Sequence, residues 1–428
     1  MGIATAELLE RRVINTNKNK ETNNVIDGIA ALLLALCPIL QHYRGIFGLD
    51  ASELILCILF PYLLLQLFSK RHLAVKILAL PALYFLYISF SHGFHMIIFL
   101  REALLMVYFV GALNGVKFIK LVIKMARIVA VFAAVLICIQ YVCYYLLHFH
   151  LQLVPTDLLV DSAEQWVLLA KTGTISVTGK QMAFYRPSSI FLEPSHMALY
   201  FTPSLLLTLL QSELTRKERS IAVLLSIGVL FSTSGIGIGV MVGTWLLYGG
   251  FYAGNRDAKH KFKLKEIFKI KHLIYLGGFA AIALVMFFTV DVFRNSVVRI
   301  FSSSTGSVSA IDGRVSTGIK SLSHLTGIKL LIGRGTEVSL VDWNMAGFFY
   351  TLYKHGLIGV ALTYIFYLQC LKKSKREYFW LILVFIVCSF FTVHTYAAFY
   401  RMFYISMMLV GVKQRVSQNV SGIKVSFL

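Results

Sequence analysis

Charge is scarce in this chain and one-sided where it occurs. Only 14% of the 428 residues are charged while 57% are hydrophobic, a balance too apolar for an ordinary soluble domain. Acidic residues number 20 against 41 basic ones, for a net charge of +21. The basic residues gather in short linkers between apolar runs, so they report topology, and no nucleic-acid partner is expected. Cysteine is equally uninformative as chemistry. All six (Cys37, Cys57, Cys138, Cys143, Cys370 and Cys388) fall inside apolar runs, where they behave as small hydrophobes and imply no disulfide framework. Asp-x-Asp, His-Glu-x-x-His and Cys-x-x-Cys motifs are all missing, so neither a metal nor a cofactor is expected. The stretch Ser232 to Gly239 has the glycines of a phosphate loop but no preceding strand, which argues against nucleotide binding and for close helix packing or a tight turn. The polar first residues, with Arg11, Arg12, Lys18 and Lys20, predict that no cleavable signal opens the chain.

What the sequence does have is long apolar runs. A helix needs roughly 20 apolar residues to cross the hydrocarbon core, and twelve stretches qualify within tilt and packing tolerance. They run approximately 26 to 43, 51 to 68, 74 to 91, 94 to 112, 127 to 147, 194 to 212, 219 to 233, 236 to 254, 272 to 290, 345 to 371, 378 to 393 and 395 to 411. The expected fold is therefore an all-α integral membrane protein of about twelve transmembrane helices. One membrane domain, 26 to 411, lies between tails 1 to 25 and 412 to 428. With the amino terminus inside, the cytoplasmic linkers and both tails hold 28 of the 41 Lys and Arg, as the positive-inside rule requires. Two long loops, 148 to 193 and 291 to 344, then lie outside. The pair of short spans around Phe231 to Ile238 also reads as one broken or re-entrant helix, and Lys261 to Lys271 as a juxtamembrane anchor on an anionic surface.

Ionisable groups inside spans are costly, which makes each one a candidate for function. Arg101, Lys354 and Arg401 lie at a shared depth of roughly 9 to 14 Å below the outer surface at 1.5 Å per residue, suggesting one outward-facing positive cavity. The alternative is that each pairs locally. For Arg101 the neighbouring Glu102 is a poor partner, because positions i and i+1 of a helix do not face each other. The densest constellation is Tyr185 to Tyr200 (YRPSSIFLEPSHMALY), which runs from the first long loop into the sixth span. It supplies Arg186, whose planar fork suits phosphate, together with the carboxylate of Glu193 and the imidazole of His196. Pro194 suits the first turn of a helix. A helix cap with a salt bridge from Glu193 to Arg186 is the plainer reading of the same residues.

From Arg186 to Pro194 the sequence resembles the bacterial O-antigen and capsular polysaccharide polymerases (the Wzy type), and more distantly the O-antigen ligases. The resemblance rests on an arginine, a small residue, Phe191, and Glu193-Pro194 leading into a span. Two further islands are similar in order and spacing. One is Phe231-Ser-Thr-Ser-Gly-Ile-Gly; the other runs from Gly313-Arg314 through Gly333-Arg-Gly335 and Asp342-Trp-Asn344 to Gly356-Leu-Ile-Gly359. Where the ligases commonly carry a histidine before that last helix, this chain has Asp342 and Asn344, which favours the polymerases. The resemblance implies a metal-independent, inverting glycosyltransferase of the GT-C class without a cofactor. It would act on polyprenyl-diphosphate-linked oligosaccharides at the outer face of a bacterial cytoplasmic membrane, with both termini inside. It also implies that membrane lipid surrounds the chain and that a flippase and a chain-length regulator are partners. Arg186 and Arg314 become the first candidates for binding diphosphate, followed by Arg101 and Arg401, and Glu193 and His196 the candidates for acid–base work. The rival readings are a lipid-linked oligosaccharide flippase and a ligase-type glycosyltransferase.

Overall fold

The computed structural model describes residues 25–68, 75–160, 183–251, 310–335 and 345–422, apart from 92, 95 and 211–213, together with 171, 174–176, 281, 284, 288 and 294. The described residues are mostly helical. In order come α1 (Val25–Leu40), α2 (Ala51–Phe68), α3 (Val75–Phe90), α4 (Met96–Asn114), α5 (Val116–Tyr145), α6 (Pro194–Leu209), α7 (Arg216–Phe231), α8 (Gly235–Phe251), α9 (Ala310–Leu322), α10 (Ile328–Ile332), α11 (Gly347–Lys373), α12 (Arg376–Phe391) and α13 (Ala398–Gly422). Every apolar stretch picked out from the sequence is helical except 272 to 290, which lies almost wholly outside the described residues. So do the basic stretch 261 to 271 and the Asp342-Trp-Asn344 island. Among the described residues, α5 alone is both long and apolar enough to cross a membrane; α1, α2, α3, α8, α12 and α13 contribute shorter apolar segments. Within the first long loop, β1 (Thr174–Ser176) pairs antiparallel with β2 (Ala183–Tyr185), a hairpin that hydropathy did not reveal.

Local signals account for several helix starts. Asp50 and Glu53 form a reciprocal cap at α2: the Glu53 N–H donates to Asp50 Oδ1 at 2.8 Å and the Asp50 N–H to Glu53 Oε2 at 3.0 Å. Thr215 and Glu218 do the same at α7. Pro194 opens α6, where its missing N–H costs nothing.

The centre of the molecule is built on α6 and the first half of α13. Nearly every residue of α6 is buried, the polar Ser195, His196, Thr202, Ser204 and Thr208 included, and it packs against α5, α7, α8 and α12. Residues Phe399 to Val412 of α13 are likewise buried, among α4, α5, α11 and α12. Tyrosine hydroxyls tie these two helices together. Pro203 has no N–H to offer the carbonyl of Leu199 one turn earlier, and the Tyr404 hydroxyl of α13 donates to that carbonyl instead, at 2.6 Å. The Tyr400 hydroxyl donates to His196 O at 2.9 Å, and Tyr200 reaches Ala35 O of α1 at 2.7 Å.

Glycines permit two close approaches. At Gly237 a Cβ would lie 2.6 Å from Ala198 Cβ, so the glycine-rich stretch serves helix packing of α8 on α6. The α7–α8 break is a short turn with Thr233 at φ 54°; Ser234 starts α8 by accepting the Gly237 N–H. In α11 the helix breaks at Gly356 (φ 62°, ψ −172°). The carbonyls released there all find donors: Arg334 N–H to Tyr353 O at 2.9 Å, Gly335 N–H to Lys354 O at 2.8 Å, and the Tyr87 hydroxyl to His355 O at 2.6 Å. A Cβ on Gly356 would collide with the Leu331 carbonyl, and one on Gly333 with the Lys354 carbonyl. Two segments of the second sequence island, Gly333-Arg-Gly335 and Gly356 to Gly359, therefore meet at one backbone junction.

Candidate functional site

The approach to α6 is clamped before any functional group appears. Gln140, buried on α5, accepts the Ser189 N–H at 2.9 Å and donates to Leu151 O at 3.0 Å. This holds Ser189 in its left-handed conformation (φ 57°) and fixes the irregular, turn-containing run from Tyr185 to Glu193 against the bundle. Phe191 anchors the run beside Tyr200 and Phe201. Arg186 and Glu193 are thereby buried at the start of α6.

Glu193 occupies the N-cap position of α6, yet its side chain makes no cap hydrogen bond. Its Oε2 accepts from Ser195 Oγ at 2.6 Å and lies 3.2 Å from Nε2 of His394. The opposite nitrogen of His394, Nδ1, lies 2.8 Å from Nε2 of His196. A buried string results: carboxylate, imidazole, imidazole. Burial opposes the charge on Glu193. The hydrogen bond from His394, with the neighbouring His394, His196 and Arg186 groups, outweighs it and holds the carboxyl well below the usual carboxylate range. Hence the acid end of the string is ionised at neutral pH.

His394 sits on the 3-10 turn Val393–Tyr396 between α12 and α13, whose start is capped by the Thr392 side chain accepting the His394 N–H. A fourth ring completes the cluster. His42 stacks on His196 with centroids 4.6 Å apart and planes within 7°. The first long loop holds it there: the Val160 N–H donates to His42 O at 2.9 Å and the Arg44 N–H to Leu158 O at 2.7 Å.

With Glu193 ionised, His394 donates through Nε2 to the carboxylate. A neutral His394 then accepts at Nδ1 from Nε2–H of His196. A proton taken up at His196 passes to His394, beside the carboxylate. Glu193, His196 and His394 also offer ligand atoms within 4.8 Å of one another. His394, however, meets its two neighbours through opposite ring nitrogens, so one ion cannot replace both contacts. The arrangement fits proton movement better than chelation.

The plainer sequence reading, a capping Glu193 bridged to Arg186, is thus corrected: the carboxylate is engaged by Ser195 and His394, with Arg186 close enough to act on it electrostatically. The expectation of one cavity shared by free basic groups also changes. Arg101 pairs with Glu53, and Arg401 pairs with Glu102 and lies over the Tyr84 ring. Arg101 and Glu102, adjacent on one helix, do take separate partners. Lys354 lies within electrostatic reach of Arg401, Glu102 and Arg101. Arg314 falls on α9, which packs on α11 through Gly318 against Phe349, whereas the string lies between α6 and the turn before α13. His394 and His42 were missed from sequence. Comparison with protein-family models, with curated proteins and with solved structures gives no match.

Proposed function

We propose that this chain is a polytopic membrane glycosyltransferase that joins polyprenyl-diphosphate-linked oligosaccharide repeat units into an O-antigen, capsule or exopolysaccharide. It would work at the outer face of a bacterial cytoplasmic membrane. Twelve spans, both termini inside and the two long loops outside complete the reading, with membrane lipid around the bundle and a flippase and chain-length regulator as partners. The observation that carries it is the string Glu193–His394–His196 beginning inside the Arg186 to Pro194 stretch that resembles the polymerases.

In the reaction, an acceptor sugar hydroxyl attacks the anomeric carbon of the donor. A new C–O bond forms to that carbon and its bond to the diphosphate oxygen breaks, the electron pair leaving with the diphosphate. The hydroxyl proton is taken up by the histidine string, with Glu193 stabilising the resulting imidazolium. Arginines stabilise the charge gathering on the leaving diphosphate: Arg186, beside the string, and Arg314, from the second sequence island.

Deletion of the gene followed by gel analysis of surface glycan tests the reading. A polymerase leaves single repeat units on the surface without long chains. Units trapped inside the cell indicate a flippase, and lipid-linked long chains never transferred indicate a ligase. Arg186→Ala and Arg314→Ala abolish chain extension in a protein that still inserts; full-length polymer from both removes the diphosphate assignment.

A further inference from the structure

A second polar centre lies across α13 from the histidine string. Tyr400 faces His196, whereas the next residue, Arg401, points to Glu102 of α4 and Tyr84 of α3. The charges around Arg401 do not cancel locally. Arg101 is served by Glu53, with Asp50 also within electrostatic range. Arg401 is paired with Glu102 and lies over the Tyr84 ring, which also meets His355, the neighbour of Lys354, with ring centroids 5.7 Å apart; Arg401 and Lys354 thus share the one carboxylate, Glu102, within electrostatic reach of the lysine. Among the described residues no carboxylate contacts the Lys354 ammonium directly; it lies 3.5 Å from the Tyr350 hydroxyl and 5.7 Å from the centre of that ring. A lysine so placed inside an apolar bundle is costly unless an anion completes it.

The backbone supports the same conclusion. Lys354 stands two residues before the break at Gly356, and non-helical backbone at membrane depth is tolerated where it is buried in protein or lines a polar site. Here the break is locked open by donors from Arg334, Gly335 and Tyr87, so the lysine is presented from a rigid element. The phenol groups of Tyr350 and Tyr84 border the two cations.

We propose that Lys354 and Arg401 form an anion site that takes a diphosphate group, distinct from the site beside Arg186. The occupant's identity rests on the polymer-forming reading: joining two lipid-linked units requires two diphosphates to be held at once, one that leaves and one that stays with its sugar. The anion site itself stands on the charge arrangement alone.

The test is calorimetric titration of the purified full-length protein in detergent, at low ionic strength, with inorganic pyrophosphate. Lys354→Met removes one bound pyrophosphate per chain or weakens it by about tenfold or more, as expected for loss of a charge-assisted contact; Lys354→Arg keeps it. Arg186→Ala leaves the Lys354-dependent binding in place. Unchanged binding in Lys354→Met, or equal loss in Lys354→Met and Lys354→Arg, overturns the site. If Lys354-dependent binding persists while Arg186→Ala and Arg314→Ala still make full polymer, the diphosphate assignment at Arg186 fails and the anion site survives.

Discussion

Glu193 and His394 separate chemistry from scaffolding at the scale of single residues. His394→Gln retains a polar side chain but cannot relay a proton between the carboxylate and His196. Its kcat for polymer formation from a defined lipid-linked repeat falls by about 10²- to 10⁴-fold, the range of general acid–base contributions, with little change in KM. A proportional rise in KM with kcat intact would assign His394 to substrate binding. Glu193 also carries a pH signature. Its folded-state carboxyl is held well below the ordinary value, so the unfolded chain takes up protons first as pH falls. The stability it contributes is fully present above about pH 4.5, near the unfolded value, and is lost progressively below that. Thermal unfolding of wild type and Glu193→Gln checks this: the gap between midpoints is widest above pH 5 and narrows on acidification. Arg186, Glu193 and His196 were legible in the sequence because they fall within eleven residues at a helix start. His394 and His42 were not, because their neighbourhood is created by tertiary packing across about 200 and 150 residues of chain. For the same reason the pairings of Arg101 with Glu53 and Arg401 with Glu102 were invisible to a reading that looked along one helix at a time.

Elements are held by replacements for missing backbone hydrogen bonds. Pro203 deprives Leu199 O of its helical donor and Tyr404 supplies one; Tyr404→Phe leaves a buried carbonyl unsatisfied and costs about 1–3 kcal/mol, measurable as a lower unfolding midpoint without loss of helical content. At α11 the break is encoded by Gly356, whose φ of 62° with ψ of −172° lies in a region essentially reserved for glycine. Gly356→Ala adds a collision with the Leu331 carbonyl and lowers stability by at least about 2–3 kcal/mol. A stable, active alanine variant would mean that α11 runs straight and that the α10 junction is dispensable. The helices themselves were readable from apolar runs and caps, because periodicity and capping are local. The break was not, since one glycine in an apolar helix is ordinarily tolerated, and only the arriving backbone of residues 333 to 335 makes this one indispensable. The β1–β2 hairpin escaped for a related reason: three-residue strands carry too little alternation to stand out.

The whole-molecule prediction is sidedness, on which the functional reading depends. The string starts at the N-cap of α6, where the first long loop ends, so whichever side receives residues 148 to 193 also receives Glu193, His394 and His196. Under the proposed reaction, whose lipid diphosphates carrying finished repeat units arrive outside, that loop is predicted to lie outside. Positive linkers favour this orientation, since the residues joining α3 to α4 and the turn joining α7 to α8 carry almost no Lys or Arg, in contrast to those at 117 to 127 and 216 to 219. The step that could reverse the later half of the molecule is the α7–α8 pair. Crossing twice or entering and returning gives the same parity, while a single broken span shifts every later element to the opposite side. Fluorescent-protein fusions truncated after residue 213 and after residue 256 decide it. Both glow if the pair preserves parity, as expected from the way α7 and α8 each pack on the same helix α6. Paired with an epitope inserted near residue 165 that antibody reaches in intact spheroplasts, they place the string outside; a dark fusion at 256 beside a bright one at 213 would set His394 of the later half on the opposite side from His196 and so contradict the string itself.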